Sequence, residues 1–124
     1  METHVAFTTT PIVIPALALP SREIGACVEF SGIVRETEHD RALTGLHYEA
    51  YEPMAARQLE RIFDELNAVH PCAAVFFVHR LGWVPVGDSS LFVRVLAAHR
   101  GEALLFLTHA IDRMKADVPI WKRA

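Results

Sequence analysis

The sequence predicts an α+β domain with a largely antiparallel sheet and two main amphipathic helices. Three observations carry this: β-type segments joined by turn chemistry, only two apolar stripes at helical spacing, and a length that suits one core. A doubly wound parallel sheet, the weaker alternative, needs a crossover helix after nearly every strand. The 124 residues are 52% hydrophobic and 22% charged. Residues 1–124 therefore read as a single domain, and global disorder is excluded.

Taken in order, Val5 to Thr10 is rich in β-formers. The Pro-punctuated stretch to Ser21 fits a short strand, a helical turn or plain loop. Ile24 to Arg35 (IGACVEFSGIVR) reads as a strand, and Gly32 inside it predicts a bulge or a close backbone approach. Polar residues Glu36 to Arg41 read as a mobile loop. A second strand follows at Leu43 to Tyr51, where Leu46, Tyr48 and Ala50 alternate with His47 and Glu49.

Pro53 suits the first turn of a helix, and Ala55, Leu59, Ile62, Phe63, Leu66 and Val69 form one apolar stripe ending near His70. Ala73 to Arg80 is nearly all apolar, and LGWVP extends it. Val86-Gly87-Asp88-Ser89 then supplies a turn before a strand from Ser90 to Ala98, so the pair reads as a hairpin. Arg100 to Lys115 places Ala103, Leu107, Ala110, Ile111 and Met114 on one helical face. Val118 to Lys122 reads as extended, because Pro119 disfavours helix at the residue before it.

Charge and composition exclude several functions. The formal net charge is −3, so no overall basic field exists to hold nucleic acid or an anionic membrane. No apolar run approaches the roughly 20 residues of a membrane span. The opening METHVAFTTT lacks a basic n-region, so no export signal is expected and cytoplasm is the expected location. Cys27 and Cys72 have no CxxC spacing and read as small buried apolar residues. Seven histidines include His70, His79, His99 and His109, but none has zinc-site spacing, so no metal is expected. The His79-Arg80 pair reads as a structural strand end.

Lysine usage stands out. Of 12 basic residues only Lys115 and Lys122 are lysines, seven apart near the C-terminus. An Arg-biased composition and the attraction of helix ends for cations would account for them. A compact, deprotonatable amine kept where guanidinium would serve as mere charge is the other account. Lys115 lies four residues after Ile111, at the border of the apolar stripe, where a lysine stem rests on the core and its amine reaches a rim. Lys122 points with Ile120 or away from it, depending on twist. If both amines share a pocket, each disfavours the other's charge, one route to a lysine acting as acid, base or nucleophile.

Arginines supply an anion side. Arg35 ends the strand that contains Gly32, and His99-Arg100 opens the second helix, where free N–H groups favour negative charge. The same pair is also an ordinary polar helix start. The common nucleotide, metalloprotease and hydrolase motifs are absent.

With those residues in view, the sequence resembles the large, catalytic subunits of molybdopterin synthase. The similarity runs from about Gly25 to Arg123 through FSGIVR (Phe30 to Arg35), LHYEAY (Leu46 to Tyr51) with Met54, VHRLGWVPVGD (Val78 to Asp88), AAHR (Ala97 to Arg100) and IDRMKADVPIWK (Ile111 to Lys122). The resemblance implies a hammerhead-like α/β domain and a homodimer in which each protomer binds a small ubiquitin-like sulfur carrier, a heterotetramer in all. The carrier's C-terminal Gly-Gly thiocarboxylate passes sulfur to cyclic pyranopterin monophosphate, making molybdopterin, and no cofactor or metal takes part. By matching motif positions, Lys115 is the implied main catalytic lysine and Lys122 its companion. Arg35, His99 and Arg100 are the implied holders of the pterin phosphate, partly across the dimer interface. Two departures stand beside it: Ala124 replaces the usual Glu, in a sequence without the relatives' further tail, and Glu36 to Arg41 replaces a Gly/Asn-rich loop.

A different class of answer fits the arginines equally well: a non-catalytic dimeric module that binds an acidic peptide or anionic metabolite. It gives no reason for the placement of the scarce lysines.

Overall fold

The computed structural model describes residues 1–124. Its strands are β1 (Glu2–Thr8), β2 (Ala26–Ile33), β3 (Thr37–Glu38), β4 (Arg41–Ala42), β5 (Gly45–Ala50), β6 (Ala74–Arg80), β7 (Gly82–Pro85), β8 (Ser89–Ala97) and β9 (Ile120–Arg123). The helices are α1 (Glu52–Val69) and α2 (Arg100–Asp117). The main sheet has the order β1-β6-β8-β2; only the β1–β6 pair is parallel, as an α+β fold with a largely antiparallel sheet requires. A second sheet, β7-β5-β9, is antiparallel throughout.

Period-two alternation places Leu91, Val93, Val95 and Ala97 of β8 and Val75 and Phe77 of β6 in one core with the apolar stripes of both helices. From α1 this core takes Ala55, Leu59, Ile62, Phe63 and Leu66; from α2 it takes Ala103, Phe106, Leu107, Ala110 and Met114. Phe106 completes the second stripe. Val69 does not belong to the first, being 69% exposed because the last turn of α1 runs beyond the buried face. Ile111 packs on the core from its edge.

Three sequence expectations need correction. Glu36 to Arg41 is not a plain loop: β3 and β4 pair in a minimal hairpin with His39 and Asp40 at its tip. Cys27 is exposed, since alternation along β2 turns Cys27, Glu29, Ser31 and Ile33 away from the core, whereas Cys72 is buried. The LGWVP segment does not extend β6. The Leu81 N–H closes the ladder on the Thr8 carbonyl at 2.7 Å, and Gly82, at φ 81°, turns the chain out to pair with β5. The long arms β6 and β8 still pair antiparallel, with Phe77 opposite Val93. The expected bulge is present, a register shift between Gly32 and Ile33. Residues 9–25 carry no helix or strand.

Candidate functional site

Past the bulge β2 keeps one more pair with β8, Ile33 opposite Ser89, and the chain then leaves toward the second sheet. Val34 is then clamped on both sides: its N–H donates to the Asp88 carbonyl at 3.0 Å, and its own carbonyl accepts from Gly87 at 2.9 Å. With Leu46 and Val84 it forms a small separate core. Arg35 follows at the surface, so its guanidinium is positioned by a fixed backbone.

At the other end of the chain, α2 stops at Pro119. The Val118 N–H still reaches the Met114 carbonyl at 3.1 Å, and the Ile120 N–H donates to the Val118 carbonyl at 2.8 Å, a sharp three-residue turn around the proline. The chain then doubles back as β9 along β5, with Ile120 opposite Ala50 and Lys122 opposite Tyr48. Directly opposed residues share a sheet face, so Lys122 points with Ile120 and Tyr48. The open choice of direction for Lys122 is thereby decided.

These elements enclose a cavity of about 400 Å³, within the usual range for small-molecule sites. Phe30, Leu46, Tyr48, Leu91, Met114 and Ile120 contribute apolar walls; Arg35, Lys115 and Lys122 supply cations and Glu38 the one carboxylate. The rim is thus net positive on a chain whose formal charge is −3. Local cations of this kind attract anions that the molecule as a whole does not. No three His, Cys, Asp or Glu side chains gather as metal ligands.

The two amines are differently committed. Lys122 is hydrogen-bonded to the Glu38 carboxylate in an ion pair, which holds the Glu38 carboxyl below its ordinary range, aided by charge from Lys122 itself, His39 and Arg35. Lys115, exposed in the last turn of α2, enters no ion pair, and neither does Arg35. An arriving anion meets both without first displacing a carboxylate.

His79, read from sequence as structural, is a wall of this cavity and only 3% exposed. Its Nδ1 donates to the Arg80 carbonyl at 2.8 Å, which leaves Nε2 as an acceptor. Burial pushes its pKa below the ordinary value, against that hydrogen bond, so the ring is neutral near pH 7. Tyr48 meets it edge-on, with ring centroids 5.0 Å apart. The signal was present in the alternation Val75, Phe77, His79, which puts the histidine on the core face of β6.

His99 and Arg100 do not line the cavity. They sit exposed at the N-terminal end of α2, fifteen residues before Lys115 and so about 22 Å away along the axis at 1.5 Å per residue. Of the five sequence-predicted residues, one chain gathers Arg35, Lys115 and Lys122.

Fold and site together define a class: a small α+β domain with a largely apolar cavity rimmed by cations, suited to a small anion with an apolar body. The family model described as MoaE protein matches residues 7–117, and the chain belongs to that family. A molybdopterin synthase catalytic subunit of Oryza sativa subsp. indica is 42% identical over 99 residues, which cover 80% of this chain and 51% of that protein. The chain spans about half the length of such curated relatives. The crystal structure of molybdopterin synthase from Staphylococcus aureus superposes with a TM-score of 0.82 at 35% identity, covering 94% of this chain and 86% of that one. A complex of subunits 1 and 2 of the molybdopterin-converting factor from Helicobacter pylori gives a TM-score of 0.69 at 28% identity, covering 82% and 66%. No helix is long and apolar enough to cross a membrane.

Proposed function

We propose that the chain is a sulfurtransferase of molybdenum cofactor biosynthesis, converting cyclic pyranopterin monophosphate to molybdopterin with sulfur from the C-terminal thiocarboxylate of a small ubiquitin-like carrier. The observation that carries this reading is the convergence of the chain's only two lysines, with Arg35, on one cavity. Family membership and the two-subunit complex of the Helicobacter pylori relative support the carrier as partner.

A thiocarboxylate is already a competent nucleophile, so the protein must hold two anions together, screen their repulsion and protonate a leaving oxygen. Arg35 and Lys122 do the screening. Lys115, free of any carboxylate, delivers the proton or holds the acyl group briefly. Neutral His79 offers an acceptor nitrogen in the apolar wall. His99 and Arg100 act on the pterin phosphate in a homodimer, from the second copy. Their exposure and distance from Lys115 support this division of the site.

The test is Lys115→Ala assayed with thiocarboxylated carrier and cyclic pyranopterin monophosphate. The expected result is near-complete loss of dithiolene product with carrier binding largely kept; near-normal product overturns the assignment. Lys115→Arg separates this reading from an anion-binding module, which would tolerate the exchange where a sulfurtransferase would not.

A further inference from the structure

The β3–β4 hairpin has little to hold it in place. Each strand contributes two residues, and the tip residues His39 and Asp40 stand at φ 51° and 61°, a left-handed region that non-glycine residues adopt at a cost. Two-stranded ribbons of this length are marginal by themselves. The Leu43 N–H donates to the Glu36 carbonyl at 2.7 Å and closes the hairpin on itself, not on the body of the domain. Two ties reach the body: Leu43, at the hairpin's base, packs on the Val34, Leu46 and Val84 cluster, and nearer the tip the Glu38–Lys122 ion pair holds the strands, Lys122 being fixed on β9 by its ladder with β5.

That pair also divides space. Glu38, Leu43, Leu46 and Lys122 line the main cavity, and the same four line a second cavity of about 260 Å³ on the far side. The second cavity is edged by His39, Arg41 and Arg123. Both members of the pair are therefore walls common to the two spaces. Arg123 is already paired with Glu49 at 3.0 Å, but loss of the Glu38 carboxylate leaves Lys122 without its counter-charge beside Arg35, Lys115 and Arg41, which enter no ion pair, a charge that an external anion would balance.

We propose that Glu38 is an internal stand-in for substrate: its carboxylate latches the β3–β4 hairpin across the site, and an incoming oxyanion replaces it on Lys122 and releases the hairpin. The latch deepens the sulfur-transfer reading, since Lys122 is one of the two amines that reading uses. The oxyanion is a phosphate or a terminal carboxylate, the two chemistries that the proposed substrates would bring.

Hydrogen exchange on the full chain tests this with no sulfur substrate present, so its outcome is independent of whether sulfur transfer occurs. Glu38→Gln is expected to speed exchange of the Leu43 amide and the hairpin amides about fivefold, the scale of one exposed ion pair. Lys122→Gln is expected to do the same. The Val75 and Val95 amides in the core should be unchanged and report an intact fold. In the wild type, millimolar inorganic phosphate or a short peptide ending in a Gly-Gly carboxylate should reproduce the acceleration; whichever acts identifies the oxyanion. Neither should add to it in Glu38→Gln. Unchanged hairpin exchange in both variants, or equal ligand response with and without Glu38, overturns the latch.

Discussion

Gly45 gives the sharpest test of how the second sheet supports the site. It opens β5 opposite Pro85 of β7, and a Cβ there would lie 2.4 Å from Cζ2 of Trp83 and 2.6 Å from the Val84 carbonyl oxygen. The indole is half exposed and can swing aside. The carbonyl is main chain within the β5–β7 ladder and cannot move without parting the strands. Overpacking of this kind costs about 1–3 kcal/mol. At about 2.1 cal/mol/K of unfolding entropy per residue, 124 residues carry about 0.26 kcal/mol/K, so Gly45→Ala should lower Tm by about 4–12 °C. Gly101→Ala is the control: nothing lies within 4 Å of its Cβ, and helix propensity should raise stability by about 0.5–1 kcal/mol. Because β9 hangs on the other edge of β5, Gly45→Ala should also weaken the oxyanion binding proposed for Lys122. Calorimetry with phosphate titration measures both. A Tm within about 1 °C of wild type would show that the strands part freely here and that the close approach does not position β9.

Three further outcomes follow from burial. Phe106→Ala, which empties a fully buried site between α2, Phe63 and the sheet, should cost about 3–5 kcal/mol by urea denaturation. Cys72 donates its thiol to the His70 carbonyl at 3.3 Å, and burial pushes its pKa up to about 11; iodoacetamide at neutral pH should therefore label exposed Cys27 alone, with Cys72 reacting only on unfolding. His79 has a lowered folded pKa, so the unfolded chain binds more protons below about pH 6.5 and stability falls as pH drops through that value toward the folded pKa. His79→Gln should flatten that part of the pH–stability curve, and a wild-type-minus-variant difference constant from pH 7 to 5 would refute the assignment.

The elements with strong periodicity were legible. Leu59, Ile62, Phe63 and Leu66 announce α1, the run from Ser90 to Ala98 announces the strand β8, and Pro119 announces the end of α2. What was not legible depends on partners distant in sequence. Gly82 says only that the chain turns; that Gly82 to Pro85 joins β5 rather than β6 is decided by β5, over thirty residues earlier. Glu38 and Lys122 stand 84 residues apart, and no local pattern marks a loop glutamate as the partner of a lysine near the end of the chain.

The scarcity of lysine is legible because composition needs no fold; the commitments of the two amines depend on the fold. Turn and ladder around Pro119 bring Lys115 and Lys122 to one cavity, but one amine is uncommitted and the other is already neutralised. In the sulfurtransferase reading proposed above, that asymmetry suits Lys115 to proton delivery and Lys122 to charge balance. It also explains why a substitution at either amine need not mimic the other: removing Lys115 takes away a free donor, whereas removing Lys122 also unties Glu38 and the hairpin it carries.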